Sequence, residues 1–142
     1  TVVFMLELLQ PHPGEKILDV GSGSGWTTTL LAYLVGEEGE VIGVERVPEL
    51  VSYGQKNLAK FGFSQARIER ADKQYGRPSK APFDKILVSA AAEEIPKELV
   101  EQLKIGGRMV VPVRNAILAI GRTETGFEQE KHDGFVFVPL IK

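Results

Sequence analysis

The sequence contains no cysteine, and this absence excludes several kinds of chemistry. The chain can form no disulfide bond, present no thiolate nucleophile and build no cysteine-ligated zinc site. Histidine is nearly as scarce, because only His12, among prolines, and His132, in a charged segment, are present. We expect both imidazoles to face solvent, and no grouping of nucleophile, base and orienting residue is visible. We therefore predict no catalytic side chain and no metal site.

A strong charge of either sign and a long apolar run are also missing. The 17 basic and 19 acidic residues give a net charge of -2, which creates no broad positive field for a nucleic-acid backbone. No apolar stretch has the length of a membrane span, and no secretory leader is recognisable. These absences predict a cytoplasmic protein whose partners include neither nucleic acid nor membrane.

The length and composition are those of an ordinary globular domain. The chain has 142 residues, of which 43% are hydrophobic and 25% charged. A chain of this size buries roughly 68 to 70% of its unfolded surface on folding, which is enough for a substantial core. We therefore expect one domain over residues 1–142.

The first nine residues form an apolar helical pattern that starts at once, without a capped beginning. This start indicates that a segment upstream of Thr1 is missing. If Val2, Val3 and Phe4 are left exposed, they favour self-association. We therefore expect a monomer or a weak homodimer.

Short apolar runs alternate with helical patterns through most of the chain. The predicted strands cover residues 16–20, 41–44, 66–70, 83–88 and 108–113; the predicted helices include residues 30–35, residues 48–61 before a stop at Gly62, and residues 96–103 before the Gly106-Gly107 break. This alternation predicts an α/β fold with a doubly wound, mostly parallel sheet.

The last part of the chain has a different pattern. Residues 116–123 and 135–140 look like strands that are separated only by turn residues and charge. Two neighbouring strands without a helix predict a C-terminal antiparallel hairpin. Thr125-Gly126 and Asp133-Gly134 are both turn formers, so the register stays open.

A glycine-rich loop follows the first predicted strand and is the main candidate for ligand binding. Glycine lets a backbone approach a ligand closely. The dinucleotide fingerprint needs a small residue at the position of Trp26, and the carboxylate of Asp19 would repel a diphosphate but attract a sulfonium or ammonium group. S-adenosylmethionine therefore fits this loop better than a nicotinamide dinucleotide, although the glycines could simply form a tight turn. The candidate cofactor-binding residues here are Asp19, Gly21, Ser22, Gly23, Gly25 and Trp26.

Acidic residues follow the second and third predicted strands, where ligands of parallel sheets bind. Glu45 is placed to accept hydrogen bonds from both ribose hydroxyls; the alternative is a surface carboxylate paired with a base such as Arg46. Asp72 could accept from the adenine amino group, with its neighbour Lys73 beside the ring, or could pair with nearby basic residues. We include Glu45, Arg46, Asp72 and Lys73 among the cofactor-binding candidates.

Small residues follow the fourth predicted strand. We assign Ser89 to the cofactor site and Ala90, Ala91 and Ala92 to the site of the methyl acceptor, because small side chains leave room beside the sulfonium. Simple close packing explains the same residues equally well. Methyl transfer to a carboxylate needs no strong base, since the acceptor is ionised near neutral pH.

Several longer motifs strengthen this interpretation. They are ILDVGSGSGW at 17–26, VERVPEL at 44–50, APFDKILVSAAA at 81–92, QLKIGGRMVVPV at 102–113 and FVPL at 137–140. Together they resemble protein-L-isoaspartate O-methyltransferases over nearly the whole chain. The resemblance implies a Rossmann-like methyltransferase fold with a seven-stranded sheet and S-adenosylmethionine at the glycine loop, Glu45 and Asp72. It further implies methyl transfer to the free carboxylate of L-isoaspartyl residues in damaged proteins or peptides, a repair step.

The sequence departs from the family pattern at four places. It begins after the family's Thr-Ile-Ser-x-Pro type segment, which helps to bind the substrate. It has Ala71-Asp72-Lys73 where the family usually has Gly-Asp-Gly. Trp26 stands where tyrosine is common, and Val136 stands where arginine is frequent. Two alternatives therefore stay open. One is a domain that binds S-adenosylmethionine or S-adenosylhomocysteine with little turnover, and the other is a methyltransferase for another small acceptor.

Overall fold

A seven-stranded sheet organises the computed structural model, which describes residues 1–135. Its strands are β1 Lys16–Val20, β2 Glu40–Glu45, β3 Ala66–Arg70, β4 Phe83–Val88, β5 Leu103–Val113, β6 Ala116–Arg122 and β7 Phe127–Asp133. The helices are α1 Val2–Leu9, α2 Trp26–Val35, α3 Pro48–Ala59 and α4 Lys97–Val100, with a single 3-10 turn at Pro78–Lys80.

The strand order is β3-β2-β1-β4-β5-β6-β7. The first five strands in chain order are parallel, and β6 and β7 continue the sheet in antiparallel pairing. The chain moves outward from β1 to β3 and then returns to place β4 on the other side of β1. At this reversal Val20 lies between Val44 and Val88, so loops leave the carboxyl end of the sheet in opposite directions.

The two faces of the sheet are covered unequally. On one face, Ile17, Val41 and Leu87 pack with buried residues of α1 and α2, and α3 adds a smaller cluster against β3. On the other face, Leu18, Ile42, Ile86 and their neighbours pack mainly with α4 and Phe83. This alternation along each strand is the burial expected of a parallel sheet with both faces covered.

Helix α1 is held by packing and by a buried lysine. Met5 and Leu9 are buried, and Lys85 Nζ donates to the Gln10 carbonyl at 2.6 Å and to Glu15 Oε1 at 3.2 Å. These two bonds satisfy an ammonium group that would be costly to bury alone. The C-terminal end of α1 is thereby joined to β4.

Two expectations about the N-terminal helix and the histidines were wrong. Val3 is exposed, but Val2 is half-buried, and Phe4 stacks on Phe135 with ring centroids 5.5 Å apart. Phe4 also meets His132 edge to face at 5.2 Å, so His132 is partly covered rather than fully in solvent, while His12 is exposed. The cause is the second strand of the hairpin, which brings His132 to α1.

The predicted boundaries near β5 also need correction. Helix α4 is only Lys97–Val100, and β5 begins at Leu103, before the glycine pair that was expected to break the chain. Leu103 pairs with Phe83, and the register shifts before Lys85 pairs with Arg108. This bulge absorbs the positive φ of Gly106 (85°), so the glycines lie inside the strand.

The hairpin is present, but its second strand is Phe127–Asp133 rather than residues 135–140. Thr123 and Gly126 close the turn, since the Thr123 N–H donates to the Gly126 carbonyl at 2.9 Å. The polar sequence of β7 gave no apolar signal because nearly all of this strand is exposed. Apart from Phe135, the predicted strand 135–140, the FVPL motif and Val136 lie outside the described residues.

The edge strand β3 carries charge on its exposed side chains. Arg67 pairs with Glu40 of β2 at 3.0 Å and with Glu69 at 2.9 Å, and Arg77 reaches Glu69 at 3.2 Å.

No helix within residues 1–135 is both long and apolar enough to cross a membrane.

The packing of α1 makes a direct prediction about stability. Leu9→Ala should lower the free energy of unfolding by about 2 to 5 kcal/mol, because Leu9 is fully buried and the truncation leaves a cavity. Val3→Ala on the same helix should change it by less than about 0.5 kcal/mol, since Val3 is 68% exposed. Urea unfolding of both variants checks this, and equal losses would show that α1 is not docked as described.

Candidate functional site

A cavity of about 280 Å³ opens at the carboxyl ends of β1, β2 and β4, beside the reversal of strand order. This is a little below the usual range of about 300 to 1,000 Å³ for small-molecule sites. The wall is mostly apolar and is formed by Val20, Gly21, Gly23, Val44, Glu45, Arg46, Val47, Leu50, Ala71, Gln74, Tyr75, Gly76, Ser89 and Ala90.

The glycine loop lies between β1 and α2 and divides into two parts. Gly21 and Gly23 line the cavity with φ of 78° and 54°, and a Cβ built on Gly21 would meet nothing within 4 Å. Gly25 is different, because its Cβ would lie 2.8 Å from the Gly54 carbonyl oxygen of α3. The first two glycines therefore leave open space at the cavity, whereas Gly25 lets α3 approach the loop.

Glu45 connects the glycine loop to the end of β2. Its Oε1 accepts the Gly23 N–H at 2.9 Å, and its Oε2 accepts the Val47 N–H at 3.0 Å. The residue is 9% exposed, and the described residues contain no ion pair to it, so the predicted alternative of a surface pair with Arg46 is not what the structure has. Each oxygen keeps a second lone pair, and the carboxylate lies on the cavity wall.

Asp19 lies on the opposite face of β1 from Val20 and does not line the cavity. Its Oδ2 accepts the hydroxyls of Thr27 and Thr28 at 2.6 and 2.7 Å, while Oδ1 is buried without a hydrogen-bond partner. Burial raises the pKa of Asp19 to about 6, against the lowering effect of the two hydroxyls, and the nearby charge of Glu45 adds to the rise. Asp19 therefore holds the start of α2 and is not part of the cavity wall, so its contact with the cofactor stays a prediction that this geometry does not favour.

The residues after β3 are arranged differently from the expectation. Arg46 lines the cavity and donates to the Asp72 carbonyl at 3.2 Å. The Asp72 carboxylate is exposed and accepts from Arg77 Nη1 at 2.7 Å, and Lys73 is also exposed. Neither Asp72 nor Lys73 is part of the cavity wall, so their proposed contact with adenine stays a prediction that this geometry does not favour.

The remaining candidates are only partly brought together. Ser89 and Ala90 line the cavity. Ala91 does not, and Ala92 instead extends the sheet, because its N–H donates to the Pro112 carbonyl at 2.9 Å. Ser22 is buried behind the loop, and Trp26 begins α2 with 57% of its surface exposed, away from the wall.

Sequence reasoning missed much of the apolar wall. One part of it comes from the residue before α3, Val47, and from Leu50 in the first turn of that helix. The other part is Gln74, Tyr75 and Gly76, which lie between β3 and the 3-10 turn. Leu50 lies in the predicted helix 48–61 and carries no site signal of its own in the sequence, yet 36% of it is exposed and it lines the cavity. The isolated Tyr75-Gly76 pair after a strand was the signal available for the second group.

Comparison with known proteins finds one family along the whole chain. The family model described as "Protein-L-isoaspartate(D-aspartate) O-methyltransferase (PCMT)" matches residues 1–142. A protein-L-isoaspartate O-methyltransferase of Methanopyrus kandleri is 44% identical over 99% of this chain and 65% of its own length. The corresponding protein of Aeropyrum pernix is 48% identical over 96% of this chain and 55% of its own length. The chain thus spans about two thirds or less of these relatives.

Two solved structures have the same fold. One, titled protein-L-isoaspartate O-methyltransferase, superimposes with a TM-score of 0.91 at 24% identity, over 99% of this chain and 46% of its own. The other is a putative protein-L-isoaspartate O-methyltransferase from Plasmodium falciparum in complex with S-adenosyl-L-homocysteine, with a TM-score of 0.86 at 26% identity, over 99% of this chain and 73% of its own.

The raised pKa of Asp19 predicts how stability changes with pH. The folded state binds this proton more tightly than the unfolded state, so the stabilisation is complete below the unfolded pKa of 3.8 and is lost as pH rises through about 6. Asp19→Asn removes this loss. Its free energy of unfolding relative to the parent chain should rise with pH over this window, by a total on the order of 3 kcal/mol at about 1.4 kcal/mol per pKa unit.

Asp84→Asn is the control, because the pKa of Asp84 is shifted in the opposite direction and its effect on stability changes with pH in the opposite sense. Although burial acts against it, the pKa of Asp84 lies below its usual value because its carboxylate accepts from the Lys16 N–H and from Lys104. Asp84 therefore contributes stability above the unfolded pKa that is lost as pH falls. Urea unfolding from about pH 2.5 to 7.5 covers both windows, since the effect of Asp84→Asn lies below the unfolded pKa of 3.8 and that of Asp19→Asn above it. Parallel pH profiles for the parent chain and Asp19→Asn would contradict the assignment.

Proposed function

Because the chain belongs to the protein-L-isoaspartate(D-aspartate) O-methyltransferase family, we propose that it binds S-adenosylmethionine and methylates the free carboxylate of L-isoaspartyl residues in damaged proteins or peptides. The observation that carries the proposal is the Glu45 carboxylate, free of ion pairs among the described residues and set on the wall of an apolar cavity between the glycine loop and α3. The Plasmodium structure is a complex with S-adenosyl-L-homocysteine, the demethylated product of the same donor, and this supports the choice of ligand.

The residues of the cavity fit an adenosyl group. Gly21 leaves open space where a side chain would fill the cavity, which suits close approach of a ligand to the loop. The spare lone pairs of Glu45 suit two neighbouring hydroxyls such as those of a ribose. Val47, Leu50 and Tyr75 offer apolar surface to a flat ring.

The chain's own contribution to the reaction is binding and orientation. When bound, S-adenosylmethionine would supply a methyl group activated by its positive sulfur: the bond from the acceptor oxygen to the methyl carbon would form as the carbon–sulfur bond breaks, and the sulfur would leave as a neutral thioether. The acceptor carboxylate is already ionised near neutral pH, so no side chain needs to take a proton from it. Glu45 and the glycine loop fix the donor, and Ser89 and Ala90 leave space beside it for the acceptor.

The proposed macromolecular partner is an isoaspartyl-containing protein or peptide. Ala91 and Ala92 stay candidates for contact with it, although the backbone of Ala92 is already bonded to β5. We further propose that the protein acts in the cytoplasm as a monomer or a weak homodimer, without nucleic acid or membrane as a partner.

Glu45→Ala should weaken binding of S-adenosylhomocysteine by tenfold or more. Two charge-assisted bonds would be lost, each worth about 1.5 to 3 kcal/mol, and about 1.4 kcal/mol corresponds to a factor of ten. Glu40→Ala is the matched control, because it removes the same charge from the opposite end of β2, where Glu40 pairs with Arg67. Calorimetry that finds equal affinities for both variants would remove Glu45 from the site.

The chain should also transfer a labelled methyl group to a peptide that contains L-isoaspartate, and not to the same peptide with ordinary aspartate. A base-labile methyl ester on the first peptide alone is the expected result. Binding of S-adenosylhomocysteine without ester formation would instead favour a domain that binds the adenosyl ligand with little turnover. Methylation of neither peptide together with methylation of a small acceptor would change the proposed substrate class.

A further inference from the structure

One wall of the cavity is a segment without regular secondary structure, residues 71–77, which we call the wall segment. Its residues Ala71, Gln74, Tyr75 and Gly76 line the cavity. Behind it lies a second crevice, bounded by Gln74, Tyr75, Pro78, Ala81, Glu98, Glu101 and Gln102. The wall segment is therefore a thin partition with open space on both sides.

The backbone of the wall segment is anchored mainly at its ends. The Ala71 N–H donates to the Glu45 carbonyl at 2.9 Å, and the Arg77 carbonyl accepts from the Lys80 N–H at 3.0 Å. Between these points no helix or strand ladder fixes the chain. Tyr75 packs against the core cluster that contains Leu99 and Val100, while the backbone carbonyl of Tyr75 and the N–H of Arg77 take their bonds from a side chain.

Gln102 supplies such bonds from outside the cavity. It is 4% exposed and lies between α4 and β5. Its Nε2 donates to the carbonyls of Tyr75 at 2.9 Å and Glu98 at 3.1 Å, and its Oε1 accepts the Arg77 N–H at 2.9 Å. Both amide protons and the amide oxygen are thus used, and two of the three bonds go to the wall segment.

The contact between Gln102 and the wall segment also requires a glycine. Gly76 has a φ of 74°, and a Cβ there would lie 2.4 Å from Gln102 Oε1 and 2.7 Å from Leu99 Cδ2. The amide is held by its own bonds and cannot easily move away. The bare backbone of Gly76 is what lets the segment lie so close to Gln102.

Arg77 fixes the other side of the same segment. Its guanidinium donates to the Arg70 carbonyl and to Asp72 Oδ2, both at 2.7 Å, and reaches Glu69 at 3.2 Å. Gln102 accepts the Arg77 N–H and also donates to the Tyr75 carbonyl. One buried amide therefore links the segment before β5 both to Tyr75 and to the residue whose guanidinium holds Arg70, Asp72 and Glu69.

We infer that Gln102 is a positioning residue for the cavity: its side-chain amide holds the wall segment in place and so sets the affinity for the adenosyl ligand without touching it. The inference rests on the proposed function for the identity of the ligand, but the hydrogen bonds it depends on exist without any ligand.

Gln102→Glu tests the donor half of this arrangement. The substitution keeps an acceptor for the Arg77 N–H but sets a carboxylate oxygen against the carbonyls of Tyr75 and Glu98. Binding of S-adenosylhomocysteine, measured by calorimetry well below the melting temperature, should weaken tenfold or more. Gln102→Leu removes all three bonds, so in addition it should raise the hydrogen-exchange rate of the Arg77 amide by tenfold or more in the ligand-free chain.

Gln65→Glu is the matched control, because Gln65 Nε2 likewise donates to a buried carbonyl, that of Ala32 at 3.1 Å, away from the cavity. It should lower the melting temperature without changing affinity by more than twofold. Parent-like affinity in Gln102→Glu, or an unchanged Arg77 amide in Gln102→Leu, would overturn the inference. If the parent chain itself fails to bind the ligand, the proposed function fails, while the exchange rates still decide the role of Gln102.

Discussion

The site depends above all on the Glu45 carboxylate, which accepts one backbone N–H from the glycine loop and one from the residue before α3. The loops that follow the neighbouring strands β1 and β2 are thereby fixed to the same side chain. Without it, the amides of Gly23 and Val47 would lose their acceptor at the edge of the cavity. The same carboxylate keeps lone pairs for a ligand, so one group both shapes the cavity and offers it a binding contact.

The reversal of strand order explains why this arrangement forms at all. β1 and β4 are neighbours in the sheet but distant in sequence, so Gly21 and Ser89 are brought together by the pairing of β1 with β4 across the chain's excursion through β2, α3 and β3. The wall segment completes the cavity from the far side and is held by a residue that precedes β5. Residues from four separate stretches of chain line the cavity, and Gln102 from a fifth holds one of them, so the cavity depends on the global fold.

Much of the fold follows from the sequence because β1, β2 and β4 are bounded segments rich in apolar residues, and the family resemblance and the seven-stranded sheet are confirmed. β7 escaped prediction because its side chains are polar and its pairing is decided by the Thr123–Gly126 turn. Position along the chain located Glu45 at the cavity but could not reveal that Asp19 points to the opposite face, under Thr27 and Thr28. Nor could it reveal Gln102, whose three partners are brought to it by tertiary folding alone.

The charged outer strand has a consequence for how the molecule behaves when crowded. An unpaired strand edge is a template for another chain, and intermolecular sheets grow from such edges. A strand added beyond β3 would lie against Arg67 and Glu69 and would have to remove water from ion pairs that are now partly exposed. Since the energetic gain from surface ion pairs is small but their desolvation is costly, this edge discourages fibril-like growth while adding little to the stability of the monomer.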